Sequence, residues 1–236
     1  LEIAGKSLWA IKQSYITALR RRRRRADKDW KAAQQQLQEV FVTQQADRWL
    51  VSINPDLSDP QNGHFFAYDA SLRAECRKAG VGFLSLVAKD FVNDEQSREF
   101  IPWFTHNTWA FGRDRDVYSQ NFRSELKRLA DVLGQQENRR FSFFVYMGRP
   151  EHLDHLEHVV LARLKGSIVT INFFGGDKYL RDRVKESRFR NLLDRTDIRG
   201  CVESEALRDE LAGDLRGLAV WPMMRSAVPG ERATPP

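Results

Sequence analysis

The sequence predicts an α/β fold: a Rossmann-like, mostly parallel sheet with helices on both faces, preceded by an N-terminal basic helical arm. Two observations predict it. From Arg48 onward, short apolar runs alternate with amphipathic stretches, which favours a parallel sheet built through right-handed crossovers. The runs Phe141–Met147 and Ser167–Phe174 are also nearly continuous in apolar residues, as expected of strands covered on both faces.

The individual elements follow from these patterns. We expect strands near 48–54, 82–88, 141–147, 167–174, 198–203 and 218–222. We expect helices near 65–79, 117–134, 151–164, 178–194 and 204–213. The aromatic region 89–116 is too long for a plain connector, so it is either functional or contains short elements of its own. The Rossmann-like domain is assigned to 47–225, and the Pro-rich end 226–236 is a linker or tail.

Residues 1–46 are assigned to the basic helical arm. Two apolar stripes with helical spacing run along it: Leu8, Ile11, Tyr15 and Leu19, then Trp30, Ala33, Leu37 and Phe41. The whole chain has a net charge of +6, but residues 1–33 contain ten Lys or Arg against three Asp or Glu. The basic excess therefore belongs to the arm, and most of it is the run Arg20–Arg25.

Three alternatives are open for this arm. It is a solvated helix packed on its own body or on an upstream domain, or a basic amphipathic helix on an anionic membrane surface through Arg20–Arg25. The third alternative, binding to nucleic acid or heparin, is disfavoured because no aromatic platform or nucleic-acid motif accompanies the charge. We therefore expect no nucleic-acid partner.

Composition excludes some other classes. No apolar run approaches the ~20 residues of a membrane span, and no secretory signal is visible. Cys76 and Cys201 lie in predicted regular elements rather than in a spaced framework. They are interpreted as small buried side chains, reduced in a cytosolic setting.

The first candidate site follows the first strand, in the segment Trp49–Gly80. In open α/β sheets the loop after a strand lies at the carboxyl edge, where ligands bind. Asn54 and Asp56 offer polar side chains there, and Gly63-His64 precedes a helix whose N-terminus favours anions. The alternative is a simple turn with a helix cap.

Two further turns are expected at the same sheet edge. The turn Met147–His152 contains Arg149 and Glu151 and opens a helix near Pro150. The segment Asn172–Asp177 contains Gly175-Gly176, which allows close backbone approach or is a plain strand-to-helix turn. Both turns therefore extend the candidate cleft.

The usual catalytic patterns are not visible. His152, His155 and His158 are spaced three apart, whereas metal sites prefer pairs four apart, so surface or capping histidines are favoured. The G-x-G-x-x-G fingerprint is missing, and no Ser/His/Asp set, paired carboxylates or Cys-x-x-Cys stands out. No metal and no cofactor are expected, and the catalytic residues are unknown.

A family resemblance takes the interpretation further. The segments Asp197–Leu211 and Leu218–Met223 resemble the close of the N-terminal domain in GT-B retaining glycosyltransferases of the family-4 (group 1) kind. There, a Ser-Glu-x-Leu helix start is followed by a short strand and a proline, matched here by Ser204 and Pro222. The opening loop with Gly63-His64 and the run Phe144–Pro150 are also similar to that family. The similarity covers about residues 48–225.

This resemblance implies an acceptor-side domain. It would bind a glycan or lipid-linked acceptor and one wall of a nucleotide-sugar cleft, while a second domain outside this chain supplies most donor contacts. The chain alone is then expected to be an inactive part of a hexosyltransferase, cytoplasmic and peripheral at the inner face of a membrane. The implied substrate-binding residues are Asn54, Asp56, Gly63, His64, Arg149, Glu151, Gly175, Asp177 and Ser204.

One departure from the family supports an alternative. Many members carry a histidine at the end of the strand 167–174, where this chain has Phe173 and Phe174. The domain could therefore be a non-catalytic glycosyltransferase-like scaffold or a glycan-binding module in a larger assembly. A small-molecule oxidoreductase is disfavoured because the glycine fingerprint is missing.

Overall fold

The computed structural model describes residues 29–59, 63–91, 98–105, 115–146, 148, 150–173, 187–202, 204–211 and 218–220. The strands are β1 Arg48–Asn54, β2 Gly82–Ala88, β3 Phe100–Phe104, β4 Arg140–Val145, β5 Ile168–Phe173, β6 Ile198–Val202 and β7 Ala219–Val220. The helices are α1 at 29–44, then α2 Gly63–Lys78, α3 Arg115–Leu133, α4 Pro150–His155, α5 Ser187–Leu193 and α6 Glu205–Leu211. A π-helical segment, Leu156–Leu161, continues α4.

These strands form one sheet in the order β3-β2-β1-β4-β5-β6-β7. Every pairing is parallel, so the predicted Rossmann-like α/β fold is confirmed. From β1 the chain crosses to β2 on one side, whereas from β4 it crosses to β5 on the other. The strand order therefore reverses between β1 and β4.

Two apolar clusters show which helices cover which face. Alternate residues of β1 (Trp49, Val51 and Ile53) pack in the main cluster, because side chains along a strand alternate between faces. Side chains of α1, α3, the π-helical segment, α5 and α6 join them there. The opposite face packs against Tyr68, Leu72 and Cys76 of α2. Among the described helices, α2 alone covers that second face.

The helix α1 packs as part of this domain along its described length. Its stripe Trp30, Ala33, Leu37 and Phe41 is buried in the main cluster. The rings of Trp30 and Trp103 meet edge to face with centroids 4.6 Å apart. Of the three alternatives for the arm, packing on its own body is observed here. The run Arg20–Arg25 lies outside the described residues, so its membrane contact stays a prediction.

The strand β3 was not among the predicted elements. It lies inside the aromatic region 89–116, where short elements were one of two expectations. Phe100-Ile-Pro-Trp-Phe104 is only five residues long, and Pro102 cannot donate a ladder hydrogen bond. Such a strand is tolerated at a sheet edge, and β3 lies at one edge of the described sheet.

Candidate functional site

The reversal of strand order makes the carboxyl ends of β1 and β4 the topological switch point of the sheet, the expected place of a binding crevice. In open α/β sheets, ligands bind outside the carboxyl edge at such a topological switch point. Asn54 ends β1, and Tyr146 follows the last residue of β4. The amide of Tyr146 donates to the carbonyl of Ile53 at 3.2 Å, so the two strand ends stay paired where the crevice begins.

Three polar side chains line up across this edge on the α2 face. Ile53 pairs with Val145, and Val145 pairs with Ile171. The residues that follow these three therefore lie level with one another, on adjacent strands about 4.8 Å apart. They are Asn54, Tyr146 and Asn172, all buried. The sheet thus presents two carboxamides on either side of a phenol ring.

Asn54 is held by a buried carboxylate on α2. Its Nδ2 donates to Oδ2 of Asp69 at 3.0 Å. Two serines on neighbouring strands donate to the same group: Ser52 to Oδ1 at 2.6 Å and Ser85 to Oδ2 at 2.5 Å. All four residues are completely buried. The network fixes α2 against β1 and β2 and fixes the amide of Asn54.

The other end of the Asn54 amide is without a partner. Its Oδ1 is buried and makes no hydrogen bond, and it is the one such side-chain atom found within the described part of the chain. Leaving a buried acceptor unsatisfied costs about 1–3 kcal/mol, so such atoms in native structures call for an explanation. At a switch point, such an atom is a candidate contact for a ligand.

The pKa of Asp69 is raised above its ordinary value because burial penalises the charged form. Hydrogen bonds from Ser52, Ser85 and Asn54 oppose this rise, as does the positive charge of Arg73 one turn along the helix. Three donors to one carboxylate are what an ionised aspartate requires when water is excluded.

Aromatic side chains form the wall behind the crevice. Tyr146 packs edge to face against Phe65, with centroids 5.2 Å apart, and against Tyr68 at 4.7 Å. Beyond it, the amide of Gly148 donates to the carbonyl of Asn172 at 2.7 Å. A Cβ at Gly148 would overlap the side chain of Ile171. The close approach of the backbone at Gly148 to β5 therefore requires glycine.

The predicted substrate-binding residues fall into three groups. Asn54 and Asp56 are both buried at the end of β1, and Gly63 starts α2, whose N-terminus therefore lies at the same edge. The structure describes the backbone of His64 and Glu151 in α2 and α4 but not their side chains. Outside the described residues lie Arg149, Gly175 and Asp177.

Ser204 has a defined structural contact. Its side-chain oxygen accepts a hydrogen bond from the amide of Leu207 at 3.2 Å, and its carbonyl accepts one from Arg208. These contacts make Ser204 the N-cap of α6. A capping role alone accounts for the serine at this position.

The three histidines on α4 and the π-helical segment differ in environment. His152 is buried and its Nε2 lies 2.9 Å from the hydroxyl of Tyr118, so the surface or capping role expected for it is wrong. His155 meets Ser119 at 2.7 Å, and burial lowers its pKa. His158 is exposed and bonds the carbonyl of Asp154. The described residues contain no group of three or more metal-ligating side chains.

Phe173 and Phe174 are the two positions at the end of β5 where the resemblance predicts a histidine. Phe173 is buried in the main cluster, on the face opposite to the side chains of Asn54 and Asn172, whereas Phe174 lies outside the described residues. A side chain at position 173 that took the direction of Phe173 would point away from the candidate site. Phe173 therefore packs as an ordinary core residue.

Sequence reasoning missed Asp69, Ser52 and Ser85. The available signal was the placement of single polar residues inside otherwise apolar strands, at Ser52 and Ser85. Such residues need buried partners, and an aspartate within the following helix is a candidate partner.

A cavity opens at the opposite edge of the sheet. It has a volume of about 840 Å³ and lies between α1, α2 and the start of β3. Gln36 crosses its floor, donating to the carbonyls of Arg98 and Phe100, while Arg73 pairs with Glu99 at 3.3 Å. Its polar groups are largely paired with one another, so we place the candidate site at the carboxyl edge.

Comparison with protein-family models gives no match. Comparison with curated proteins gives no match either. None of the described helices is both long and apolar enough to cross a bilayer. The glycosyltransferase resemblance therefore stays a prediction from the sequence.

Proposed function

We propose that this domain is the acceptor-side half of a glycosyltransferase, and that it binds a sugar hydroxyl in the crevice between β1 and β4. The observation that carries the proposal is the buried, unpartnered Oδ1 of Asn54 at the switch point. A sugar hydroxyl can donate to that oxygen and can also accept from a neighbouring group. The order of sequence motifs supports the same class of ligand.

The start of α2 supports an anionic second part of the ligand. The first turn of this 16-residue helix contains no acidic residue, so no side chain there offsets the positive end of the helix dipole. A diphosphate is favoured at such an N-terminus. The crevice could thus receive one side of a nucleotide sugar while the strand ends hold a hydroxyl-bearing acceptor.

In the proposed reaction, the acceptor oxygen forms a bond to the anomeric carbon of the donor sugar. The bond from that carbon to the diphosphate breaks, and the diphosphate leaves with the electron pair while the acceptor proton is released. This domain contributes positioning, and stabilisation of the leaving group comes from backbone amides and basic groups. A second domain completes the donor site.

The test is a binding screen by saturation-transfer NMR. The chain is mixed with a panel of nucleotide sugars and neutral oligosaccharides, and hits are re-measured on Asn54→Ala. Ser52→Ala is the matched control, because it also removes one hydrogen bond to Asp69 but leaves Oδ1 of Asn54 in place. We expect Asn54→Ala to weaken binding at least tenfold and Ser52→Ala to retain it. No hit in either class would overturn the proposal.

A second candidate function is a non-catalytic glycan-binding module. The observation that favours it is the buried core position of Phe173, one of the two phenylalanines, Phe173 and Phe174, that stand where the resemblance predicts a histidine. The two functions separate in an assay of the full-length protein with the binding nucleotide sugar and oligosaccharide. Release of nucleoside diphosphate supports the enzyme, whereas oligosaccharide binding without turnover supports the module.

The basic run Arg20–Arg25 is proposed to dock the domain on an anionic membrane near a lipid-linked acceptor. Deleting residues 1–33 would be a poor test, since Trp30 and Ala33 are core residues. Replacing the six arginines by glutamine keeps Trp30 and Ala33 in place. In flotation with phosphatidylserine vesicles, we expect the wild type to float and this variant to stay at the bottom. Equal flotation would exclude the role.

A further inference from the structure

We propose that Asp69 is a positioning residue that fixes the amide of Asn54 so that the crevice presents a hydrogen-bond acceptor, the partner for a ligand hydroxyl or N–H. The inference rests on the site described under the proposed function, and it names which ligand atom that site selects. Asp69 lies on α2 and would act on the ligand through Asn54, without touching the ligand itself.

The chemistry of the carboxylate sets the direction of each hydrogen bond. An ionised aspartate has acceptor oxygens only, so Ser52, Ser85 and Asn54 must all donate to it. For Asn54 this means that Nδ2, not Oδ1, faces Asp69, at 3.0 Å. The side-chain oxygen is then turned away from Asp69, because the two atoms lie on opposite sides of Cγ.

The strand register shows where that oxygen faces. Ser52 pairs with Ser85 across β1 and β2, and both donate to Asp69. Asp69 therefore lies over the level of Ser52, two residues before the end of β1. The Nδ2 of Asn54 reaches back toward that level, so its Oδ1 faces the carboxyl edge.

The environment of Asp69 contains few other charges. The residues that face it from β1 and β2 are uncharged: Ser52, Asn54 and Ser85. Within the described part of the chain, the one charged group acting on it is Arg73, on its own helix. Protonation of Asp69 would therefore change the hydrogen-bond pattern at Asn54 without a competing titration from the facing strands.

The asparagine variant at this position removes the charged acceptor. Asp69→Asn keeps the shape of the side chain but places an amide donor where one carboxylate oxygen was. If that donor faces Ser52, whose hydroxyl can accept, Asn54 still donates, but to a neutral oxygen and through a weaker hydrogen bond. If the donor faces Asn54, the Asn54 amide turns over and its Oδ1 faces inward. In both cases the hydrogen bond that holds Nδ2 of Asn54 is weakened or lost.

The test uses NMR on the unliganded chain, so it does not depend on finding a sugar ligand. The side-chain ¹H–¹⁵N signals of Asn54 are followed in the wild type, in Asp69→Asn and in Ser85→Ala. We expect Asp69→Asn to speed hydrogen exchange of the Asn54 amide about tenfold or more, as expected for loss of a hydrogen bond to a charged acceptor. Ser85→Ala keeps the carboxylate and should keep the protection.

A pH titration of the wild type supplies a second readout that needs no variant. The Asn54 side-chain shifts should move together with the carboxyl carbon of Asp69. A flat Asn54 signal while Asp69 titrates would overturn the inference, as would equal loss of protection in Asp69→Asn and Ser85→Ala. If the titrations coincide but no sugar ligand binds, the orientation stands and the glycosyltransferase proposal fails.

Discussion

The carboxylate of Asp69 accepts a 3.0 Å hydrogen bond from Nδ2 of Asn54, while Oδ1 of the same amide has no partner in the described part of the chain. One half of the side chain is thus satisfied by the fold, and the other half is the one that we propose a ligand satisfies.

Asn54→Ala should destabilise the unliganded protein less than Ser52→Ala does. Ser52→Ala removes a hydrogen bond to a charged group, worth about 1.5–3 kcal/mol. Asn54→Ala removes a similar bond but also removes a buried unsatisfied oxygen, which costs about 1–3 kcal/mol when present. Urea unfolding at neutral pH measures both free energies. A larger loss for Asn54→Ala would mean that its side-chain oxygen is satisfied without ligand.

The stability difference between wild type and Asp69→Asn should depend on pH. Because the folded-state pKa of Asp69 is raised, the folded state binds this proton more tightly than the unfolded state, whose aspartate pKa is about 3.9. The contribution of Asp69 to stability therefore falls as pH rises from about 3.9 through the raised value.

Urea unfolding measured from pH 3 to pH 8, at about one-unit intervals, tests whether the contribution of Asp69 to stability falls as pH rises. The wild type should lose stability relative to Asp69→Asn across the interval, and then the difference should become constant. Glu125, whose pKa burial also raises, is present in both proteins and cancels in the difference. A difference that grows in favour of the wild type with rising pH would contradict the raised pKa.

Leu37→Ala should destabilise the domain by about 2–5 kcal/mol, the usual cost of truncating a buried leucine. Leu37 is completely buried on α1, whereas Val42 on the same helix is 69% exposed. Val42→Ala is therefore the matched control and should change the unfolding free energy by about 0.5 kcal/mol or less. Equal small effects would show that α1 is not part of the domain core.

Cys76 and Cys201 should react slowly with iodoacetamide in the folded protein at pH 8. Burial raises the pKa of Cys76 to about 11 and that of Cys201 to about 12, so the reactive thiolate is scarce. In urea both thiols should react at the rate of an unstructured cysteine. Mass spectrometry of the alkylated peptides measures each site, and rapid labelling in the folded state would show that the site opens.

Periodicity was sufficient for the long apolar strands but not for β3. The runs that became β4 and β5 each lie between two neighbouring strands and have most of their residues buried, so their hydrophobic signal is strong. The strand β3 is short, contains Pro102, and pairs with β2 through a register shift after Val87. Its place in the sheet depends on a non-local neighbour, which no local pattern shows.

The candidate site was predictable only in part, for a related reason. Asn54 could be predicted because the loop after the first strand of an α/β sheet lies at the binding edge. Asp69 could not be predicted, because it lies within a helix and its role depends on hydrogen bonds from Ser52 and Ser85 on two different strands. The level alignment of Asn54, Tyr146 and Asn172 likewise depends on strand register.

The most direct test of the central claim is where a ligand binds on the chain. A nucleotide sugar or oligosaccharide from the screen is titrated into ¹⁵N-labelled protein, and backbone amide shifts are mapped. We predict that the largest changes cluster at the carboxyl edge, at Asn54, Tyr146, Gly148 and Asn172. A cluster at Gln36 and Arg98, around the cavity on the opposite edge, would contradict the account.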